Sequence, residues 1–294
     1  MNASFGLGAE TLSRSLAAAT PLLLGTLGEI TAERSGVLNL GVEGMMAAGA
    51  VAGFSAAHAT GSPWIGLAAA IGAGAALALV HAFFSVTLKA NQIVCGIALT
   101  MLGLGISGVW GRAFVGTPLA CRFQAVLWSR DPVFYLAVVL TAALSWLLFR
   151  TRWGVAVRSV GENPLAADAA GLPVDRIRIL CTAFGGAMAG MAGGYLSLVY
   201  IPSWIEGMTA GRGWIVIGLT IFAGWKPWKA FAGALLFGGI DVSQYLFQDH
   251  CSPNFLKMLP YAATLLALLA SGRSLHGASA PPAALAVPYR KGER

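Results

Sequence analysis

Charge is what this chain has least of. Only 11% of its 294 residues are Asp, Glu, Lys or Arg, where a soluble domain carries about 25%. Apolar residues make up 57%, and mean hydropathy is +0.72. A soluble fold of this length cannot hide so much apolar surface, so a soluble class is excluded. The alternation of a membrane β-barrel is missing too; long continuous apolar runs stand in its place. Cysteine is scarce. Cys95 and Cys181 fall in apolar runs and read as packing residues. Cys121 and Cys251 fall in loops expected on one side, and a disulfide between them stays open. No spacing suits a zinc or iron–sulfur site, so no metal or cofactor is expected. No GxxxxGK[ST] loop occurs, so nucleotide hydrolysis is not expected of this chain. No basic run with interleaved aromatics accompanies the net charge of +7, so no nucleic-acid partner is expected. The opening "MNASFGLGAETLSRSLAAAT" lacks a basic n-region, which argues against a cleaved signal peptide.

What remains is an all-α polytopic membrane protein of about nine, and between eight and ten, transmembrane helices. Windows of about 20 apolar residues mark the spans. They are 12–30, 36–58, 64–86, 91–113, 132–150, 178–200, 213–224, 229–247 and 257–272. The seventh is too short to cross alone, so it reads as broken or merged with what precedes it. Placing the 151–177 loop inside puts thirteen of the nineteen Lys and Arg on that side and six outside. That is a positive-inside bias, with the C-terminus cytoplasmic and the N-terminus outside. The transmembrane domain is 1–272; residues 273–294, rich in small residues and Pro, read as a flexible cytoplasmic tail. Gly186, Gly190 and Gly194 recur every fourth residue. They suit close helix packing within the subunit, with a homodimer seam as the rarer alternative.

The longest polar stretch between spans is "RTRWGVAVRSVGENPLAADAAGLPVDRIRI", residues 150–179. Asn163 suits an N-cap, Pro164 the first helical position and Gly171 the stop, which predicts a helix of about two turns. A bare linker rarely carries such caps, and the Ala-rich face between them suits docking into a groove of another protein.

Polar residues inside spans need a reason, because each costs roughly 2.5 kcal/mol or more at the helix centre. Asn39 and Glu43 lie four apart and are expected to share one helix face, with Ser35 extending the stripe. Asn91 and Gln92 open the fourth span. Asp241, with Ser243 and Gln244, lies in the eighth. Ser35, Asn39, Glu43, Asn91, Gln92 and Asp241 are the candidate translocation-path residues. Glu206 and Arg212 could pair in the outer loop. Trp204 and Trp214 could stack on a ring-shaped solute but more simply pack or anchor at an interface. The segments "SGVLNLGVEGMM" and "TAGRGWIVIGL" start spans from opposite sides, a hint of an inverted repeat.

The segments "ERSGVLNLGVEGMM", "GVAVRSVGENPLAADAAGLPVDRIR" and "GMTAGRGWIVIGLTIFAGW", with the ending "AALAVPYRKGER", resemble the permease subunits of ABC importers for nucleosides and simple sugars. That group is related to the ribose and branched-chain amino acid permeases. The resemblance runs from about residue 18 to 270. It implies a non-enzymatic transport subunit in a bacterial inner membrane, moving a small solute across the bilayer. It also implies a second permease chain, a cytoplasmic ABC ATPase subunit that hydrolyses ATP, and an extracytoplasmic substrate-binding protein or lipoprotein. The short helix then resembles the coupling helix, carried on Gly161, Glu162, Asn163, Pro164, Ala167, Asp168 and Gly171. The outer stretch "VGTPLACRFQAVLWSRDP" departs from the Pro- and Gly-rich pattern of relatives. The competing readings are a branched-chain amino acid permease and an ion-gradient carrier using Glu43 and Asp241; only the latter has no need of a docking helix.

Overall fold

The computed structural model describes residues 2–126, 130–247, 252, 258–272 and 280–290. These form eleven α-helices and, among the described residues, no strand beyond two isolated bridges, Val115 with Trp204 and Pro118 with Ser203. In chain order they are α1 (Asn2–Arg34), α2 (Val42–Thr60), α3 (Pro63–Ala82), α4 (Gln92–Gly111), α5 (Pro132–Arg150), α6 (Arg152–Glu162), α7 (Pro164–Ala169), α8 (Val174–Tyr195), α9 (Arg212–Phe222), α10 (Pro227–Phe247) and α11 (Leu259–Gly272). The nine sequence windows each find one of these helices, and α6 and α7 fill the polar loop. Among the described residues, five helical segments are long and apolar enough to cross a membrane: Glu10–Arg34, Pro63–Thr87, Gln92–Phe114, Pro132–Arg150 and Val174–Tyr200. The rest are shorter or more polar, which the packing explains. Helix α2 is buried along most of its length, so its residues meet helices instead of lipid.

The packing has a repeat. Helix α3 lies on α8 as α10 lies on α1; α2 touches α8 as α9 touches α1; α2 packs with α4 as α9 packs with α11. Replacing α1, α2, α3 and α4 by α8, α9, α10 and α11 therefore reproduces the contacts. The end of α1 meets the start of α8, where Arg178 Nε donates to Ser35 O at 3.2 Å, and the packing fits the inverted repeat hinted at by the two motifs.

Small residues bring the central helices together. A Cβ on Gly190 would collide with the Ala70 carbonyl of α3, and one on Gly193 with the Met46 carbonyl of α2. Gly186 likewise faces Ala78 and Gly74. The glycine stripe of α8 is thus filled within the subunit, where close backbone approach adds dispersion contacts that lipid cannot match. Cys181 is buried, and Cys95 and Cys121 are unbridged thiols; Cys251 lies outside the described residues.

The C-terminal stretch 280–290 differs from a flexible tail. Pro282, Ala284 and Tyr289 are buried, and Tyr289 joins an apolar cluster with Val160, Ala167, Val174 and Ile177. Leu285 and Tyr289 give the segment side chains that pack into this cluster, while Val287 is exposed; composition alone hides which of them are buried. Residues 273–279 and 291–294 lie outside the described residues.

Candidate functional site

Two polar regions stand out, one inside the bundle and one on the face that carries α6 and α7. Inside, the first break in helical structure is 35–41. The sequence expectation of a continuous helix from 36 fails here, and Ser35, Asn39 and Glu43 do not form one stripe. The reason is local: Gly36 takes φ +90°, the chain turns after Arg34, and α2 begins only at Val42. An open backbone in a membrane protein must find partners, and this one does. Gln92 Oε1 accepts from Leu38 N at 2.8 Å, and Thr100 Oγ1 donates to Leu40 O at 2.8 Å. His81 Nε2 lies 3.2 Å from Leu38 O. Glu29 Oε1 accepts from Asn39 N at 3.2 Å, and Asn39 Oδ1 accepts from Gly41 N at 3.0 Å. Ser35 Oγ donates to Ala32 O at 2.7 Å. Ser35, Asn39 and Gln92 are buried. Asn91 is exposed and caps α4, its side chain accepting from Ile93 N and Val94 N.

Glu43 is the centre of this region. Its Oε1 accepts from Thr209 Oγ1 at 2.6 Å and Gly211 N at 2.9 Å; its Oε2 accepts from Gly213 N at 2.6 Å. Glu43 stands in the first turn of α2, and Gly211–Gly213 opens α9. One carboxylate therefore faces the N-terminal ends of two helices, where the helix dipoles favour negative charge. The Thr209, Gly211 and Gly213 partners were not singled out from sequence. The quoted stretch "GMTAGRGW" contained them, but nothing local pointed to a residue about 170 positions earlier.

Asp241 on α10 joins a second group. Its Oδ2 lies 3.2 Å from Arg212 Nη2 and accepts from Tyr200 Oη at 3.4 Å. Its Oδ1 accepts from Gln244 Nε2 at 3.3 Å. The Arg212 guanidinium also sits 5.5 Å over the Tyr200 ring. So Arg212 pairs with Asp241 and not with Glu206. Glu206 instead edges a cavity of about 140 Å³ between α2, α4 and the 206–209 turn, with Ala47, Ser107 and Gly108. Trp204 is buried against Gly111 and Phe54, a packing residue; Trp214 is 42% exposed.

On the other face, the loop matches its sequence signals residue by residue. Thr151 caps α6, accepting from Gly154 N at 3.2 Å. Asn163 has extended backbone, and its side chain accepts from Ala166 N at 3.0 Å. Pro164 opens α7, and Gly171 ends the turn with φ +84°. Ala167 is the one buried residue of α7. Glu162, Asn163, Leu165, Ala166, Ala169, Ala170 and Gly171 are exposed, while Pro164 and Asp168 are half-buried. Gly161 is buried, and a Cβ there would strike the Arg34 carbonyl. The helix thus buries one alanine fully and presents most of its other residues outward. Burial, then the neighbouring Asp168 carboxylate, pushes the Tyr289 phenol above its ordinary value. At the same face the Trp225 indole donates to Glu33, and Arg34 reaches the Trp225 carbonyl at 3.4 Å.

A family model described as branched-chain amino acid transport system / permease component matches residues 11–268. A Haloferax volcanii permease protein, TsgC13, provisionally named for glucose ABC transport, is 41% identical over 258 residues, 82% of this chain and 78% of that one. The guanosine ABC transporter permease protein NupQ of Bacillus subtilis is 32% identical over 95% of this chain and 96% of its own length. The nucleoside ABC transporter permease protein NupC of Lactococcus lactis is 30% identical over 85% of this chain and 88% of its own.

Proposed function

The chain belongs to the family of branched-chain amino acid transport system permease components, as a multi-pass permease subunit of an ABC importer, and from that premise we propose its solute, its partners and its working parts. The solute is a nucleoside or a related sugar-like molecule. Relatives alike over most of the chain carry guanosine, nucleoside and glucose in their names. One relative named for branched-chain amino acid transport aligns over 41% of this chain.

Helix α7 is the coupling helix, seating in a cytoplasmic ATPase subunit that hydrolyses ATP. The observation that carries this is its build: a short capped helix whose one buried residue is Ala167, with Leu165 47% exposed. A gradient-driven carrier has no use for such an element. The 151–177 loop and the C-terminal segment are then cytoplasmic, and the 201–211 turn faces an extracytoplasmic binding protein. A second permease chain completes the pathway, and the 1–272 domain sits in the cell membrane.

The path candidates divide by their bonding. Ser35, Asn39, Glu43 and Gln92 hold the break at 35–41 and the start of α9, and act on the path by positioning it. Asp241, tied to Arg212 and Tyr200 and only half-buried, is the member best suited to line the path itself; Asn91 caps a helix. Leu165→Asp tests the coupling assignment. We expect the variant to reach the membrane at wild-type levels while ATPase recovered with purified permease falls at least tenfold. Unchanged recovery would refute it.

A further inference from the structure

We propose that residues 280–290 form a strap that carries motion of α7 to the membrane-embedded break at 35–41, with Arg178 as its anchor. The inference rests on the reading of α7 as the ATPase-docking helix.

The geometry is a continuous hydrogen-bonded path. At the α6–α7 joint, Ala284 N donates to Gly161 O at 2.9 Å, and Ala283 N donates to Glu162 Oε2 at 3.2 Å. Two residues on, Ala286 N donates to Gly36 O at 3.3 Å, at the first turn of the break. Arg178, buried near the start of α8, binds both ends of that step: Nη1 donates to Val287 O at 3.1 Å and Nε to Ser35 O at 3.2 Å. Tyr289 then packs with Ala167, the single buried residue of α7, and with Val174 and Ile177 of α8. Lys89, paired with Asp175 at 2.7 Å, lies 5.7 Å over the Tyr289 ring. The strap therefore touches the docking joint, the break, the start of α8 and the turn between α3 and α4.

These contacts ask for a mechanical role. Any segment laid on a protein surface must pair its buried backbone groups; what marks this one is where the partners sit. Here three backbone N–H groups and one carbonyl are spent on fixed partners in three separate elements, and Ala286 holds φ +62°, a conformation costly for a residue with a Cβ. Displacing α7 displaces Gly161 and Glu162. The strap is tied to both and to Gly36, so the break follows. The same break is bonded at Leu38 and Leu40 to α3 and α4 and leads directly into α2, whose Glu43 holds α9. The strap thus gives the joint a second hold on Gly36, beside the direct approach of Gly161 to Arg34.

The test uses the assembled transporter of two permease chains, ATPase and binding protein, reconstituted in lipid vesicles with guanosine as the trial solute. Three versions of this chain are compared with the unmodified one: a chain ending at residue 279, Ala284→Pro, and Arg178→Lys. The first removes the strap, the second removes the N–H that binds Gly161, and the third keeps a buried cation but loses the fork that spans Val287 and Ser35. ATPase recovery with the permease, ATP hydrolysis and uptake are measured together. We expect recovery and hydrolysis within twofold of the unmodified transporter while solute carried per ATP falls at least tenfold in the truncated chain and severalfold in Ala284→Pro and Arg178→Lys. Uptake per ATP unchanged in all three would overturn the strap. So would a parallel fall of uptake and ATPase recovery, which would make the segment part of the docking surface alone. Leu165→Asp, with the strap intact, tests the docking helix separately through recovery, so failure of either idea leaves the other measurable.

Discussion

Segment 35–41 and helix α7 are both short polar interruptions between apolar helices, and they are built in opposite ways. Around 35–41, polar side chains from α1, α3 and α4 answer the backbone, and Ser35 and Asn39 are buried. Helix α7 caps its backbone ends from within ten residues and leaves most of its surface open. The first is fixed by the rest of the molecule; the second is a prefabricated part waiting for a surface. A polar residue inside a transporter is therefore not by itself a solute contact. Its bonding decides whether it holds the machine together or is left over for another molecule.

Glu43→Ala should break this comparison hardest. It leaves Thr209 Oγ1 and the amides of Gly211 and Gly213 without their acceptor, and each buried orphan costs about 1–3 kcal/mol. We expect a loss of about 3 kcal/mol or more, read as a large fall in unfolding temperature in detergent and in membrane yield. Glu43→Gln, which keeps one acceptor oxygen, should recover part of it. A Glu43→Ala protein with unchanged melting but impaired uptake would instead make Glu43 a path residue. Gly193→Ala comes next. Its Cβ would meet the Met46 carbonyl of α2, and overpacking of this kind costs about 1–3 kcal/mol. Melting again checks it, with Gly72→Ala, which meets nothing within 4 Å, as the unaffected control.

The other side of the comparison predicts small stability effects with selective functional ones. Asn163→Ala removes the α7 cap, worth about 1 kcal/mol. Global melting should stay within a degree or two while hydrogen exchange at Ala166 and Ala167 accelerates and ATPase recovery drops. For Arg212 and Asp241, whose side chains are 16% and 24% exposed, a double-mutant cycle of Arg212→Gln and Asp241→Asn should return a coupling of about 1 kcal/mol or less. The smallest effect is Ala286→Gly. Relief of the positive φ, worth roughly 1–2 kcal/mol, is partly offset by the roughly 0.5–1 kcal/mol of entropy that Gly loses, so strap docking should gain slightly, seen as slower exchange of the Ala284 amide.

The same contrast says what was legible in the sequence. The spans were readable because burial in lipid is written in every residue. The cap, first turn and stop of α7 were readable because Asn163, Pro164 and Gly171 do their work locally. The stripe joining Ser35, Asn39 and Glu43 was misread because four-residue spacing implies a shared face only if the helix is continuous, and Gly36 interrupts it. The partners of Glu43 were not readable at all: they lie 166 to 170 positions away, and nothing in either segment names the other. The strap was hidden by composition. Its small residues and prolines resemble a disordered tail until the buried surface that receives Tyr289 exists.

The Glu43 carboxylate also sets an order of events during synthesis. Helix α2 is made and inserted long before residues 209–213 leave the ribosome. Through that interval the nascent N-terminal half holds an acidic group whose three donors do not yet exist, in a helix destined to be buried. The half-made chain must therefore keep the start of α2 near water or in the care of the insertion machinery, and it closes around Glu43 only when α9 arrives. A chain interrupted before residue 213 is, on this account, an unfinished bundle with an exposed acid, a feature that quality control in a membrane can recognise.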